Sequence, residues 1–298
     1  MTGLRIWWRL HRAPIAILVV ASIVCGLFGI AYAENIRCDA SLSATDCSQF
    51  LIYNPPSSIF TLALAVLPIL LGVVLGISTV GSELESGTAA FAWSIVGSRR
   101  RWLAEQAVAS CVSILVLGML CGGFNALIVA KLNPGHNLPT SFVGYGLWGP
   151  ILVVRGLSAY GISLAIGAML RRVTASVALG LVLVTAATIA ALVVGRSFET
   201  SQVLASNDPG IYDALGVGSG IPGPNGTFQT WDDCVLTEPL GLDGDARNAW
   251  PLEHCREVSS YLPGSKMVDV ELRESAVLAL LRLLGFGAAL ALVGSRRP

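Results

Sequence analysis

The sequence predicts an all-α polytopic membrane protein with six transmembrane helices. Three observations carry that fold class. Of the 298 residues, 54% are hydrophobic and 13% charged, against about 25% charged in a soluble domain, and mean hydropathy is +0.69. Six apolar runs are each long enough to cross hydrocarbon, which takes ~20 residues. The basic residues between the runs fall on one side when the runs alternate. Arg5, Arg9, Arg12, Arg99, Arg100, Arg101, Arg171, Arg172, Arg296 and Arg297 share that side, and the two short loops opposite hold only Arg37 and Lys131. The positive-inside rule makes the Arg-rich side cytoplasmic, with both termini there.

Residues 1–13 read as an amphipathic helix lying at the cytoplasmic face. Arg5, Arg9 and Arg12 recur at +4 and +3, while Leu4, Trp7, Trp8 and Leu10 supply the apolar remainder, a composition suited to the headgroup region. Pro14 to Ala33 is the first span. Ala31-Tyr32-Ala33 imitates a signal-peptidase site, but an apolar run of about 20 residues exceeds the usual signal core of about 7 to 15. A polar loop with Cys38 and Cys47 follows. Ile59 to Val80 is the second span, with Pro68 inside it, where a membrane tolerates a kink. Leu103 to Ala130 is the third, and its Gly118, Gly122, Gly123 and Asn125 read as packing positions. The fourth span ends at Leu170 and begins between Phe142 and Pro150; Thr174 to Gly195 is the fifth. Residues 196–274 break the pattern. From Arg196 to Arg273 there are twelve acids and five bases, too polar for a bilayer and too long for a turn, so a small acidic extracellular cap is expected. Ser275 to Gly294 is the sixth span, and residues 275–298 end in a basic cytoplasmic tail.

The stretch at 82–102, between the second and third spans, is the most informative. Ser82 followed three residues later by Glu85 reads as a capping box, so a helix is expected to start there, with Glu83 and Glu85 favoured by its dipole and Arg99, Arg100 and Arg101 as candidate ion-pair partners for them. Leu84, Thr88, Phe91 and Ile95 recur at +4, +3 and +4, and Ala89, Ala92 and Val96 make a second face apolar. A short helix apolar nearly all round must be buried in something, and roughly ten residues cannot span a bilayer. Gly97-Ser98 supplies a stop and a new N-cap. The stretch reads as a cytoplasmic handle shaped to dock into another protein.

These residues also carry a resemblance. Glu83-x-Glu85-x-Gly87-Thr88, then Ser98-Arg99-Arg100-Arg101-Trp102-Leu103, resembles the signature of type-2 ATP-binding-cassette (ABC) exporter permeases, in which it forms the coupling helix and the start of the third span. Gln106 departs from the pattern, since relatives usually carry a Lys shortly after the Trp. Tyr261-Leu262-Pro263-Gly264-Ser265-Lys266 with Glu274 is similar to the Tyr-x-Pro-x-Ser-Arg…Glu ending of a bacterial subgroup with a large outer loop. The resemblance implies a multi-pass protein of the bacterial plasma membrane whose residues 1–13 form an elbow helix. It also implies a pathway lined by the first, second and fifth spans, a second permease subunit (homo- or heterodimer), and a cytoplasmic ATPase docked through Glu83, Glu85, Gly87, Thr88, Phe91, Ile95, Arg99, Arg100, Arg101 and Trp102.

Other candidates weigh less. Cys25, Cys111 and Cys121 lie in spans and read as packing residues. Cys38, Cys47, Cys234 and Cys255 are all expected outside, where an even number points to disulfides. Three pairings are open; Cys38–Cys47 and Cys234–Cys255 close the shorter loops. His254, Asp232 and Asp233 sit near the latter pair without the spacing of a zinc site. Arg155 and Arg282 lie inside spans, where ionisable groups are functional candidates, though pairing with outer acids serves as well. Thr61, Ser78, Thr185 and Thr188 dot otherwise apolar pathway walls, which favours a lipophilic or amphipathic cargo over an ion. No H-E-x-x-H, G-x-S-x-G or P-loop occurs, so no enzymatic activity, nucleotide, metal or nucleic acid is expected of this chain; ATP and Mg belong to the partner ATPase. The rival readings are a membrane-anchored sensor or assembly factor using its outer domain, and a secondary transporter, which the lack of an internal repeat and of an acid within any span disfavours.

Overall fold

The computed structural model describes residues 2–35, 55–87, 98–132, 138–142, 144–170, 172–199, 202–203, 214–222, 228–229, 234, 250, 255 and 258–295. Two compact units emerge. One comprises Met1–Gly135, Gly144–Ser197 and Asp269–Pro298; the other His136–Val143 and Phe198–Val268.

The first unit is helical: α1 Thr2–Asn35, α2 Pro55–Glu85, α3 Arg99–Leu132, α4 Ile151–Leu170, α5 Val173–Ser197 and α6, which starts at Met267 and ends at Ser295. All six are long and apolar enough to cross a membrane. Residues 2–13 continue into the first span through Pro14 without a break, so the expected boundary at residue 13 is not a structural one. α2 and α6 also overrun their expected ends, because a helix continues past the hydrocarbon until its sequence supplies a stop.

Close backbone contact positions α4 at the centre. Gly72 and Gly76 of α2 lie on α4 so tightly that a Cβ at Gly72 would stand 2.2 Å from the Gly156 carbonyl oxygen, and one at Gly76 would stand 2.6 Å from that of Tyr160. Only glycine permits this approach, the usual means by which helices associate where lipid supplies no hydrophobic drive. On another side of α4, Gly161 meets the Arg282 backbone and Gly285 meets Gly161. Gly118 and Gly122 of α3 face Val153 and Gly149, as packing positions should, whereas a Cβ at Gly123 would meet nothing within 4 Å, so Gly123 is not one. Of the apolar window of α4, 72% is buried, against 17% for α1, α5 and α6. The outward Ile17, Val20 and Phe28 of α1, Val182 and Val193 of α5, and Leu283 and Leu284 of α6 suit hydrocarbon.

The second unit carries what the sequence left open: a four-stranded antiparallel sheet of β1 Gln202–Val203, β2 Leu215–Pro222, β3 Phe228–Gln229 and β4 Val258–Leu262, in the order β1-β4-β2-β3. Cys234 and Cys255 are joined as a disulfide, their Cα atoms 5.9 Å apart, and pack with Ile221 and Trp250. Cys38 and Cys47 lie outside the described residues. After β4, the extended Pro263 leads into a single 3-10 turn, Gly264–Lys266, and Lys266 pairs with the buried Glu199 at 3.5 Å. Thus the Tyr261–Lys266 stretch is the strand-to-helix junction.

Candidate functional site: the two ends of the helical unit

Ser82 and Glu85 finish a helix and do not start one. The apolar repeat of α2 continues to Leu84, which packs against the main core, and the chain turns only at Gly87, whose φ of +73° favours glycine. The Ser82 hydroxyl donates back to the Ser78 carbonyl at 2.5 Å, and the Ser86 amide donates to the Ser82 carbonyl at 3.0 Å. Glu83 and Glu85 therefore sit at the end of α2 where the helix dipole is unfavourable to them. For Glu85 another helix compensates. Its carboxylate accepts the Val173 amide at 2.8 Å, one of the orphan donors at the start of α5. The end of α2 is thereby tied to the first turn of α5.

Ser98 precedes α3 as a cap residue does, its carbonyl accepting the Trp102 amide at 3.0 Å. Arg99 is half-buried, and Arg100 and Arg101 are exposed. Arg101 turns to Glu105 of its own helix, 3.1 Å away. Trp102 is buried in the core. Thr88, Phe91 and Ile95 lie outside the described residues, which bracket that segment at Gly87 and Ser98.

At the same end, α1 is pinned to α2 by a buried histidine. His11 Nδ1 lies 2.9 Å from the Trp7 carbonyl, which can only accept, so Nδ1 carries the proton. Nε2 lies 3.0 Å from the Ser78 hydroxyl, which also has the Leu75 carbonyl within 3.3 Å as an acceptor. A cavity of about 400 Å³ adjoins, lined by His11, Ser78, Ser82, Glu83, Trp102 and Gln106 among others. Gln106, the departure from the expected Lys, is buried beside this cavity and brings no charge to it.

The other end is held by an ion pair of the kind expected for Arg155, with Glu274 as the acid, a partner the sequence did not name. Arg155, one turn into α4, donates from Nε to Glu274 Oε1 at 2.8 Å. Its terminal nitrogens lie 2.7 Å from the same oxygen and 2.7 Å from the Gly146 carbonyl. The Tyr145 hydroxyl donates to the second Glu274 oxygen at 2.7 Å. Burial, reinforced by that carboxylate, pushes the Tyr145 phenol well above its usual range, so it stays a donor. Glu274 is fully buried. The expectation that no acid lies within a span is thus corrected: α6 begins two turns early and takes Glu271 and Glu274 into the helix. The acid is tolerated because every charge on it is matched. Residues 144–150, carrying positive φ at Gly144, Gly146 and Gly149, form the turn that brings Tyr145 to the pair.

The pathway candidates are not brought together. Thr61 is buried, and its carbonyl accepts from Asn125 at 3.0 Å. Ser78 serves His11, and Arg155 serves Glu274. Arg282 reaches Cys111 of α3 at 3.2 Å and borders a cavity of about 290 Å³ between α4 and α6. Thr188 bonds the Val184 carbonyl of its own helix at 2.8 Å, which leaves Thr185 exposed on α5. Among the described residues no group of three or more His, Cys, Asp or Glu is placed to hold a metal.

A protein-family model described as "ABC-2 membrane transporter related" matches residues 14–196, from the first span through the fifth. Comparison with curated proteins and comparison with solved structures each give no match.

Proposed function

Since the chain belongs to the ABC-2 membrane transporter related family and is thus a permease subunit of an ABC transporter, we propose that it exports a lipophilic or amphipathic substrate. In this reading ATP and Mg are bound and hydrolysed by a separate cytoplasmic subunit, and this chain binds neither. Two permease chains, identical or related, form the pathway, and each docks its ATPase through residues 87–96. The Arg-rich end is cytoplasmic, with both termini there, in a bacterial plasma membrane.

One observation supports this above others: the contact of Glu85 with the Val173 amide. A force applied just beyond Gly87 reaches α2 directly and α5 through that bond, and these are two of the helices assigned to the pathway. The glycine seam holds the α2 and α4 backbones in contact, so α4 moves with α2. Glu274 does not favour proton-coupled transport, because both of its oxygens are engaged by Arg155 and Tyr145.

The test is pull-down of a soluble ATPase with the full chain, followed by reconstitution of the pair. Phe91→Asp and Gly87→Pro are expected to abolish ATPase binding or to uncouple hydrolysis from export while the helical content is kept. Wild-type export by both variants would defeat the coupling assignment. A sensor that uses its acidic outer unit to bind a partner instead predicts that no ATPase is captured at all.

A further inference from the structure

We propose that the groove between α1 and α3, at the Arg-rich end of the helical unit, binds an anionic phospholipid of the surrounding bilayer. The groove encloses about 1250 Å³ and is lined by Trp7, Trp8 and Arg9 from α1 and by Arg101, Glu105, Val108 and Val112 from α3, among others. Its floor is apolar. Val108 and Val112, one turn apart and so on one face of α3, are 64% and 56% exposed, an unfilled track of the kind an acyl chain covers. Its mouth is basic. Arg9 is exposed and has no ion-pair partner among the described residues, while Arg101 meets Glu105, the one acid among the described residues that line the groove. The lining therefore carries an uncompensated positive charge where the apolar track ends, and the exposed Arg12 and Arg100 next along the chain have the same sign.

A second observation points to a ligand with acceptor oxygens. Trp7 is buried, and its indole N–H has no acceptor among the described residues. A buried donor without a partner is costly; Nε1 is closed to solvent here, so a small turn of the indole toward the groove it lines would bring it to a phosphate or ester oxygen. An anionic phospholipid combines the three demands: a chain for the valines, acceptor oxygens for the indole, and net negative charge for Arg9. A zwitterionic lipid would bring its ammonium against guanidinium. A second copy of this chain would set Arg9 and Arg101 against their own equivalents across a two-fold axis, like charge on like. The inference needs only that the chain is embedded in a bilayer, and it stands whether or not an ATPase docks at residues 87–96.

The full chain is reconstituted in dioleoylphosphatidylcholine vesicles with and without dioleoylphosphatidylglycerol, extracted in mild detergent, and its retained lipids are identified by native mass spectrometry. Wild-type chain is expected to retain phosphatidylglycerol and release phosphatidylcholine. Arg9→Ala and Arg101→Ala should each lower that retention about five-fold, the effect of one basic residue at an anionic surface, with Arg9→Lys close to wild type. Val112→Trp, which fills the track and leaves the charge alone, should also lower it. Trp7→Phe keeps an aromatic ring and removes the N–H, so it tests the donor even if the larger substitution disturbs folding. Circular dichroism and thermal unfolding of each variant separate lost binding from lost fold. Equal retention of both lipids, retention indifferent to the Arg and Trp7 variants, or a lipid-free dimer closed over this face would each overturn the proposal.

Discussion

At one end of the helical unit Arg155, Tyr145 and Glu274 form a dry cluster in which the carboxylate is fully buried. At the other end Arg101 and Glu105 pair in the open, and Glu85 reaches Val173 from an exposed position. The same interaction types are present at both ends, and they differ in burial. Charge removed from water is costly to separate, so the first cluster behaves as a fixed clamp on α4, α6 and the 144–150 turn. Charge left in water exchanges partners at small cost. In the proposed reading, a permease driven from its Arg-rich end needs this asymmetry, one end that holds and one that can be moved.

The largest expected effect comes from breaking the clamp on one side only. Arg155→Met or Glu274→Leu alone leaves an uncompensated buried charge and should cost ~3–5 kcal/mol of stability, read by denaturant unfolding in detergent. Arg155→Met, Glu274→Leu and Tyr145→Phe combined remove both charges and the dangling hydroxyl, and should recover most of that loss. If each single variant costs less than ~1 kcal/mol, the cluster is hydrated and the contrast between the two ends fails.

Next is the seam that joins the ends. Gly72→Ala places a methyl 2.2 Å from a backbone oxygen of α4, so two backbones must separate, at a cost of ~1–3 kcal/mol. Gly123→Ala on α3 is the control, since a Cβ there meets nothing within 4 Å. It should leave unfolding unchanged or raise stability by up to ~1 kcal/mol through helix propensity. Equal losses at both glycines would mean that the seam is not what stiffens the unit.

These positions also mark how far the sequence could be read. Six helices were legible because run length and hydropathy are local properties, and the Arg-rich flanks were legible for the same reason. Ser82-x-x-Glu85 misled because a capping box and the last turn of a helix use the same residue types, and the apolar repeat continued past the expected end of the span. The true stop, Gly87, was visible as a letter but not as a positive φ. Arg155 was singled out, yet its partner lies 119 residues away, and no periodicity links the two. Glu85 and Val173 are 88 residues apart, and a backbone amide leaves no trace in composition. The sheet of the second unit escaped because two of its strands are two residues long and β2 interleaves glycine, which erases the alternation that announces a strand.

The exposed end yields smaller stability effects, and these sharpen the comparison. Glu85→Ala leaves the Val173 amide to water, so the loss should be about 1 kcal/mol, as for other caps at a helix start. Export should nonetheless fall far more than stability does if α5 is driven through that bond, a disproportion that parallel unfolding and transport assays can read. Arg101→Gln lies at the bottom of the scale. Its side chain is 73% exposed and its partner's is 37% exposed, so solvent screening should confine the change in unfolding free energy to within ~0.5 kcal/mol. A loss from Arg101→Gln comparable to that from Glu274→Leu would mean that the Arg-rich end is as dry as the clamp, and the mechanical division of labour between the ends would have to be given up.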